Sequence, residues 1–193
     1  MAQFKETLEP SGSEAHGANG NPSAWVRRFS ALIPQGGSVL DYACGGGRHA
    51  LWLARQGYRV EAADRNREAL AALTDVDGIS TRAVDLEAGE WPYAGQTFDA
   101  VVVSNYLFRA GFERMLNLVS AGGVLIYETF MVGNEQFGRP SSPEFLLMPG
   151  ELLTRCAGWQ IVAFEQGIVD RPRPAAIQRI CAVRGPALAT ILP

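Results

Sequence analysis

Residues 38–66 read SVLDYACGGGRHALWLARQGYRVEAADRN, and this stretch decides the fold. A short apolar run ends in Asp41, and a loop of small residues, Ala-Cys-Gly-Gly-Gly, follows it. A helical pattern comes next, then a turn at Gly57 and a second apolar run that ends in Asp64. The order strand, glycine loop, helix, strand and acid predicts a unit that places a nucleoside between the tips of two parallel strands.

The residue types in this unit suit such a ligand for physical reasons. Glycines such as Gly45 and Gly47 let the backbone adopt positive φ and approach a ligand closely. The helix that follows points its free N–H groups at the loop, which favours a negative ligand group there. Asp64 can accept hydrogen bonds from both hydroxyls of a ribose. We therefore expect a nucleotide-type site at the carboxyl ends of these strands.

Two kinds of cofactor use this geometry. Gly45, Gly47, Ala50 and Asp64 fit the dinucleotide pattern G-x-G-x-x-G/A loosely, so NAD is one alternative. Asp41 disfavours NAD, because an acid at the loop entrance repels a pyrophosphate. The same acid suits a ligand that carries an ammonium and a sulfonium.

The second alternative rests on a family resemblance. DYACGGG, residues 41–47, resembles the D-x-G-x-G-x-G motif of class I methyltransferases that depend on S-adenosylmethionine (SAM), with Ala43 in place of the usual glycine. Later segments follow that family in order: VDL (84–86) after a strand at 79–83, FDAVVVSN (98–105), AGGVLIYE (121–128), and a closing pair at 159–169 and 175–183. The run GNEQFGRPSSPEFLLMPGEL also resembles small bacterial methyltransferases loosely related to the tellurite-resistance type.

The resemblance covers about residues 23–184 and implies an α/β fold. The expected architecture is a Rossmann-like doubly wound sheet, mostly parallel, with an antiparallel C-terminal hairpin and strand order 3-2-1-4-5-7-6. We divide the chain into a mobile segment (1–22), a SAM-binding methyltransferase domain (23–185) and a short tail (186–193). Patterning predicts an amphipathic helix over 23–32 and further helices over 48–55, 67–73, 112–119 and 149–156.

The cofactor site follows from the motifs carried over one by one. In the family, an acid at Asp85 bonds the adenine amine and its neighbour Leu86 packs on the ring. Arg48 either pairs with the cofactor carboxylate or is solvated, and Trp25 and Arg28 either close over the cofactor or, for Trp25, pack in the core. The full set of predicted cofactor-binding residues is Trp25, Arg28, Asp41, Ala43, Cys44, Gly45, Gly47, Arg48, Asp64, Arg65, Asp85, Leu86, Ser104 and Asn105.

Two residues are candidates for the catalytic step. Tyr106 leaves the fourth strand where methyltransferases place acceptor-side residues, so we expect it to line the methyl path. Glu128 ends the fifth strand and can take a proton from an acceptor or satisfy loop N–H groups. His49 can act as a base or contact the cofactor, but a packing or capping role is favoured.

The segment at 129–148, TFMVGNEQFGRPSSPEFLLM, is long for a connection in an α/β fold. It starts beside the expected site and mixes aromatic residues with Asn134, Glu135 and Arg139. We expect it to cover the acceptor pocket, and the alternative is a structural loop that caps the sheet edge.

Composition limits the remaining functions. The 193 residues suffice for one domain, the apolar stretches are strand-sized, and the net charge is −3 without a long basic run. We therefore expect no membrane span and no nucleic-acid partner. The three cysteines lack metal-ligand spacing, which predicts no metal and reduced thiols in the cytoplasm. The expected partner is a small-molecule acceptor, and the protein is a monomer or homodimer.

Three functional hypotheses remain from the sequence. The favoured one is a SAM-dependent methyltransferase that moves the sulfonium methyl to a small molecule by in-line displacement. A non-catalytic module that binds SAM or S-adenosylhomocysteine (SAH) is the second. The third, an NAD-dependent oxidoreductase, is disfavoured by Asp41 and by the closing hairpin.

Overall fold

A computed structural model describes residues 20–185 and Pro193. Most of the predicted mobile segment and of the predicted tail, residues 1–19 and 186–192, lie outside the described residues. None of the described helices is long and apolar enough to cross a membrane.

The described chain alternates strands and short helices. In chain order these are α1 (Ala24–Phe29), β1 (Ser38–Tyr42), α2 (Arg48–Arg55), β2 (Arg59–Asp64), α3 (Arg67–Ala71), β3 (Ile79–Ala83), β4 (Phe98–Ser104), α4 (Phe112–Leu116), β5 (Val119–Phe130), α5 (Glu151–Arg155), β6 (Gln160–Val169) and β7 (Ala175–Val183). Short 3-10 turns lie at Ser30–Leu32, Arg109–Gly111, Asn134–Gln136 and Pro143–Phe145.

The seven strands form one sheet in the order β3-β2-β1-β4-β5-β7-β6. The first five strands pair in parallel, and β7 pairs antiparallel with both β5 and β6. This order and the antiparallel hairpin confirm the predicted fold class. The strand order reverses at β1, because β2 follows on one side of β1 and β4 on the other. The carboxyl ends of β1, β2 and β4 therefore frame the crevice where such sheets bind ligands.

The central strands are buried because both faces of the sheet are covered. One apolar cluster packs α1, α2 and α3 against one face, and a second packs α4 and α5 against the other. Val39, Leu40, Val101 and Val102 are fully enclosed. Continuous apolar strands of this kind are typical of a doubly wound sheet.

Three helices are shorter than the sequence predicts. Helix α4 ends at Leu116, because Val119 already pairs with Phe98 as the start of β5. Helix α3 ends at Ala71, two residues before the predicted end, and α5 runs from Glu151 to Arg155, so it begins two residues late and ends one residue early. Helix α2 has the predicted bounds, and Asn66 caps α3 by accepting hydrogen bonds from two backbone N–H groups of its first turn.

Candidate active site

The glycine loop between β1 and α2 holds three residues in the left-handed region. Ala43, Gly45 and Gly47 have φ of 56°, 56° and 73°. Ala43 thus adopts the conformation that the family motif provides with glycine. A Cβ added at Gly47 would lie 2.4 Å from Leu73 Cδ1, whereas one added at Gly45 meets no atom within 4 Å. Gly47 is therefore required by packing, and Gly45 borders open space.

Asp64, at the tip of β2, is held in a fixed orientation by the backbone. Its Oδ2 accepts a hydrogen bond from Gly45 N at 2.7 Å, and its Oδ1 accepts one from Asn66 N at 2.8 Å. Each carboxylate oxygen keeps a further lone pair for a ligand. The expected ribose-binding acid is consequently preorganised by the same loop that it helps to shape.

Asp41, on β1, is 1% exposed and its Oδ2 accepts a hydrogen bond from Ala50 N at 2.9 Å. Burial raises the pKa of Asp41 to about 7, although the bond from Ala50 and the nearby Arg48 act in the opposite direction. Among the described residues, no ion pair joins the buried carboxyl of Asp41 to a cationic side chain. A cationic ligand group would supply that positive charge.

The cleft at the carboxyl ends of the strands consists of two adjoining chambers. We call the first, about 510 Å³, the acidic chamber, because Asp64, Asp85 and Glu87 line it together with Arg65. We call the second, about 950 Å³, the basic chamber, because Arg48, Arg139 and Arg173 line it and Asp41 is its one carboxyl among the described residues. The two chambers share a wall formed by Ala43, Asn105, Phe130, Pro140 and Phe145.

Most of the predicted cofactor-binding residues meet in this cleft. Arg65, Asp64, Asp85 and Leu86 lie in the acidic chamber. The basic chamber holds Asp41, Cys44, Gly45, Arg48 and Ser104, and Ala43 and Asn105 border both. Gly47 stands behind the loop against Leu73.

Trp25 and Arg28 do not line either chamber. Trp25 is 2% exposed, and its Nε1 donates to the Ile180 carbonyl of β7 at 3.1 Å. The Arg28 guanidinium is exposed and lies 4.9 Å from the centre of the Phe29 ring. In this structure Trp25 has the core-packing role that the sequence left as its alternative.

A hydrogen-bonded row links the glycine loop to the ends of β4 and β5. Arg48 Nη2 donates to Ser104 Oγ at 3.2 Å, and Ser104 Oγ donates to Glu128 Oε1 at 3.3 Å. Glu128 is half-buried and lies outside the linings of both chambers. The carboxylate thus reaches the cleft only through Ser104 and Arg48.

His49 lines the basic chamber but is engaged with the chain. Its Nε2 accepts a hydrogen bond from Ser23 N at 3.2 Å, at the start of α1. Burial, with Arg48 beside it, lowers the pKa of His49 to about 3, so the ring is neutral. With Nε2 accepting, the ring proton is on Nδ1, and neither nitrogen is free to take a proton. The favoured capping role therefore fits this geometry better than that of a base.

Tyr106 lies between the cleft and the hydrophobic core. Its ring lines the acidic chamber and packs edge-on against Tyr42, with 5.6 Å between the centroids. Its hydroxyl is buried and has no hydrogen-bond partner, and burial raises its pKa above the usual value. The Tyr106 carbonyl accepts from the Tyr127 hydroxyl at 2.6 Å, which fixes the exit of β4.

The segment 129–148 is fastened over the basic chamber at two points. Arg109 donates to the carbonyls of Glu144 and Leu146 and forms an ion pair with Glu151. Asn134, 2% exposed, donates from Nδ2 to the Pro140 carbonyl and accepts at Oδ1 from Ala176 N. Pro140 and Phe145 line both chambers, so this segment forms a wall of the cleft.

Sequence reasoning missed Arg173 altogether and named Arg139 only as part of the long segment. Arg173 belongs to the turn between β6 and β7. Because β7 runs antiparallel to β5 and Ile177 pairs with Phe130, this turn lies at the carboxyl edge of the parallel strands. The hairpin was predicted, so its turn could have been assigned to the site edge from topology alone.

The three thiols offer little chemistry. Cys44, Cys156 and Cys181 are unpaired, and burial raises the pKa of each. Between residues 20 and 185, no three His, Cys, Asp or Glu side chains are grouped closely enough to hold a metal ion.

Comparison with known proteins gives a family match for the part of the chain that carries the glycine loop and the first strand tips. Residues 39–123, from β1 into β5, match the family described as a methyltransferase domain. YqeM of Bacillus subtilis, which is named as a methyltransferase, is 27% identical over 115 residues, or 54% of this chain and 47% of YqeM. The chain thus spans about half the length of this curated relative.

Solved structures share the fold over most of the chain. TehB from Haemophilus influenzae is 21% identical with a TM-score of 0.68, covering 80% of this chain and 60% of TehB. A TehB-like SAM-dependent methyltransferase from Corynebacterium glutamicum is 19% identical with a TM-score of 0.62, covering 86% and 90% of the two chains.

The strand order is that of the class I fold of SAM-dependent methyltransferases, and residues 39–123 within it match a methyltransferase domain. TehB and the TehB-like protein share this fold. The resemblance seen in the sequence is thereby confirmed.

Proposed function

We propose that this protein transfers the methyl group of SAM to a small-molecule acceptor. The observation that carries the proposal is the two-chamber cleft, with the glycine loop and Asp64 at one end and a second, larger chamber beyond the loop. A site for the cofactor alone would need only the first chamber and the loop. The second chamber provides space for an acceptor next to it.

The chain's own residues account for cofactor binding. Asp64 holds the ribose hydroxyls, and Asp85 and Leu86 recognise the adenine. Asp41 faces the ammonium, and the Gly45 backbone allows close approach. Arg48, positioned through Ser104 by Glu128, pairs with the cofactor carboxylate. These assignments rest on the placement of each residue along the cleft and on the hydrogen bonds described above.

Binding SAM supplies an activated methyl group on a sulfonium, so the protein's main tasks are to orient the acceptor and to exclude water. Asn105 and Phe130 are placed where the chambers meet, Tyr106 follows Asn105 on the acidic side, and we assign these three residues to the methyl path. In the basic chamber His49 is engaged and Cys44 is held as a thiol. An acceptor that is already nucleophilic therefore suits this site better than one that needs a strong base.

The proposal is tested first by calorimetry with SAM and SAH, and with NAD as the control ligand. We expect binding of both SAM and SAH, no binding of NAD, and loss of binding in Asp41→Ala and Asp64→Ala. Asp77→Ala removes an exposed carboxylate away from the cleft and serves as the matched control. Binding of NAD alone would contradict the proposal and favour an NAD-dependent oxidoreductase.

Methyl transfer is then measured with methyl-labelled SAM and pools of small molecules. Labelled product that disappears in Asp64→Ala supports an enzyme. Tight SAH binding without label transfer to any pool would favour the non-catalytic module. The free thiols and the absence of a basic stretch also lead us to propose work in the cytoplasm on a small molecule, by a monomer or homodimer.

A further inference from the structure

The charges in the cleft are separated between its chambers. Carboxylates outnumber guanidiniums in the acidic chamber, with three against Arg65 alone. The basic chamber has the reverse balance, with Arg48, Arg139 and Arg173 against the buried Asp41. This concentration of positive charge runs against the chain as a whole, whose net charge is −3. Like charges around one cavity repel, and a bound anion removes that repulsion.

Two of these arginines lack a partner. Arg48 donates to Ser104, but no hydrogen bond or ion pair joins Arg139 or Arg173 to any residue in the described part of the chain. By contrast, Arg109 and Arg179, which line neither chamber, are both paired with glutamates. The unpaired guanidiniums therefore keep all their donors available toward the chamber.

A buried amide, together with the hydrogen bond from Met131 N to the Ala176 carbonyl, ties the two arginine-bearing segments together. Asn134 Nδ2 donates to the carbonyl of Pro140, directly after Arg139, at 2.9 Å. Asn134 Oδ1 accepts at 3.2 Å from the backbone N–H of Ala176, just beyond the turn that carries Arg173. Asn134 is 2% exposed, so these bonds are shielded from water. The segments are held side by side, which brings their arginines to one chamber.

The wall beside these arginines is apolar. Phe130 and Phe145 line the basic chamber where it meets the acidic one, and Phe145 is 46% exposed. An exposed aromatic ring next to unpaired guanidiniums suits a molecule with an apolar body and an oxyanion group. A purely inorganic anion would leave the rings uncovered.

We infer that the acceptor is an organic anion whose carboxylate or phosphate group is bound by Arg139 and Arg173. The inference rests on the proposed methyltransferase function and specifies its substrate class. Arg48 serves the cofactor carboxylate, so the two unpaired arginines serve a second anion. A guanidinium offers two parallel N–H donors, the bidentate geometry that carboxylate and phosphate oxygens prefer. The apolar body lies against Phe130 and Phe145 and presents the nucleophilic atom toward the junction of the chambers.

The test measures binding to the protein saturated with SAH, with four probes of similar size or charge. Benzoate and phenyl phosphate carry the oxyanion, benzamide is a neutral isostere of benzoate, and acetate lacks the ring. We expect both aromatic anions to bind at least about tenfold more tightly than benzamide and than acetate, and this preference to shrink with added salt. A stronger response to phenyl phosphate or to benzoate identifies which oxyanion the site takes.

Variants separate this inference from the proposed function. Arg139→Gln/Arg173→Gln should abolish the preference for anions while SAH affinity stays within about threefold of the unaltered protein. Arg171→Gln removes the same charge from the same turn but outside the chamber, and should change neither quantity. Equal binding of benzoate and benzamide, or an unchanged preference in the double variant, overturns the inference. Loss of SAH binding in the double variant also overturns it, by assigning both arginines to the cofactor. Failure of the unaltered protein to bind SAH would instead overturn the proposed function.

Discussion

The acidic and basic chambers share one wall but are built in different ways. In the acidic chamber the key side chain, Asp64, ends a strand and is fixed by two backbone N–H groups. In the basic chamber Arg139 and Arg173 stand on connections between strands, without partners among the described residues. The cofactor end is thus determined by the sheet and the glycine loop. The acceptor end is determined by long connections that the sheet merely supports.

The two ends of the cleft that we propose for cofactor and acceptor are therefore under different constraints. The positions of the strand tips are set by pairing across the buried sheet, so the acids on them cannot shift independently. The connections can change in length and content while the sheet stays the same. Each prediction below changes one side of this comparison and asks whether the other side responds.

The largest loss of stability is expected from the two glycines of the loop. In Gly47→Ala the new Cβ meets the enclosed Leu73 and adds left-handed strain, which should lower the free energy of unfolding by about 3 kcal/mol. In Gly45→Ala only the strain remains, at a cost of about 1 kcal/mol. The methyl group at Gly45 instead enters the cleft and should weaken SAH binding at least about tenfold. Urea denaturation and calorimetry measure the two quantities.

The glycine pair is its own control, because both residues have similar positive φ. Equal loss of stability in the two variants would contradict the packing role of Gly47. Unchanged SAH affinity in Gly45→Ala would mean that the ligand does not approach this part of the loop.

Asp41→Asn should show that the cofactor acid is held at the expense of stability. The folded protein keeps the Asp41 proton up to about pH 7, whereas the unfolded chain loses it near pH 3.8. Folding therefore binds a proton between these values, and this carboxyl's contribution to stability falls as pH rises from about 4 to 7. Asparagine avoids that penalty and can still accept from Ala50 N. We expect the variant to be more stable by about 4 kcal/mol at pH 8 and nearly equal at pH 4.

The same variant should lose SAM binding, since an amide does not balance the ammonium charge. In the unaltered protein, binding near pH 7 should release a proton, which calorimetry in buffers of different ionisation enthalpy detects. Asp77→Asn, at an exposed position, is the control and should alter neither the pH profile of unfolding nor proton release. A pH-independent stability difference between Asp41→Asn and the unaltered protein would refute the buried-carboxyl account.

From the sequence, the residues of the glycine loop and strand tips were assigned to the cleft more completely than those of the connections, for a physical reason. Short apolar runs mark the strands beside the glycine loop, and these runs can be recognised from the local sequence alone. These strands carry Asp41 and Asp64, and the next strand precedes Asp85. The strand order followed from the family resemblance, and the structure has that order. Trp25 was assigned both to the cofactor and to the core, because an amphipathic helix does not disclose which neighbour covers it.

The acceptor end could not be predicted because its residues meet only through tertiary contacts. Arg173 reaches the chamber through the antiparallel turn of β7, and Arg139 reaches it through a segment without regular structure. The role of Asn134 depends on Ala176, far along the chain, so no local pattern marks it. Glu128 was predicted to end β5, but β5 continues to Phe130 because Thr129 and Phe130 still pair with β7. The orientation of Glu128 behind Ser104 depends on side-chain packing.

Asn134→Ala should give a modest loss of stability and the change most confined to the acceptor end. It removes two buried hydrogen bonds, at an expected cost of about 1 to 2 kcal/mol in the free energy of unfolding. Hydrogen exchange should speed up in residues 130–146 and 170–176, because the hydrogen bond from Met131 N to the Ala176 carbonyl is left without the support of the Asn134 amide. Exchange in the glycine loop and the affinity for SAH should stay the same, since neither contacts Asn134.

Two companion variants sharpen this prediction. Asn134→Asp keeps an acceptor for Ala176 N but cannot donate to the Pro140 carbonyl, so it should loosen residues 135–146 more than the β6–β7 turn. Gln136→Ala, in the same 3-10 turn, removes an exposed amide and should change nothing. If Asn134→Ala weakened SAH binding as strongly as it loosened the acceptor end, the two chambers would form one coupled unit. The division between a cofactor end fixed by the sheet and an acceptor end fixed by connections would then have to be abandoned.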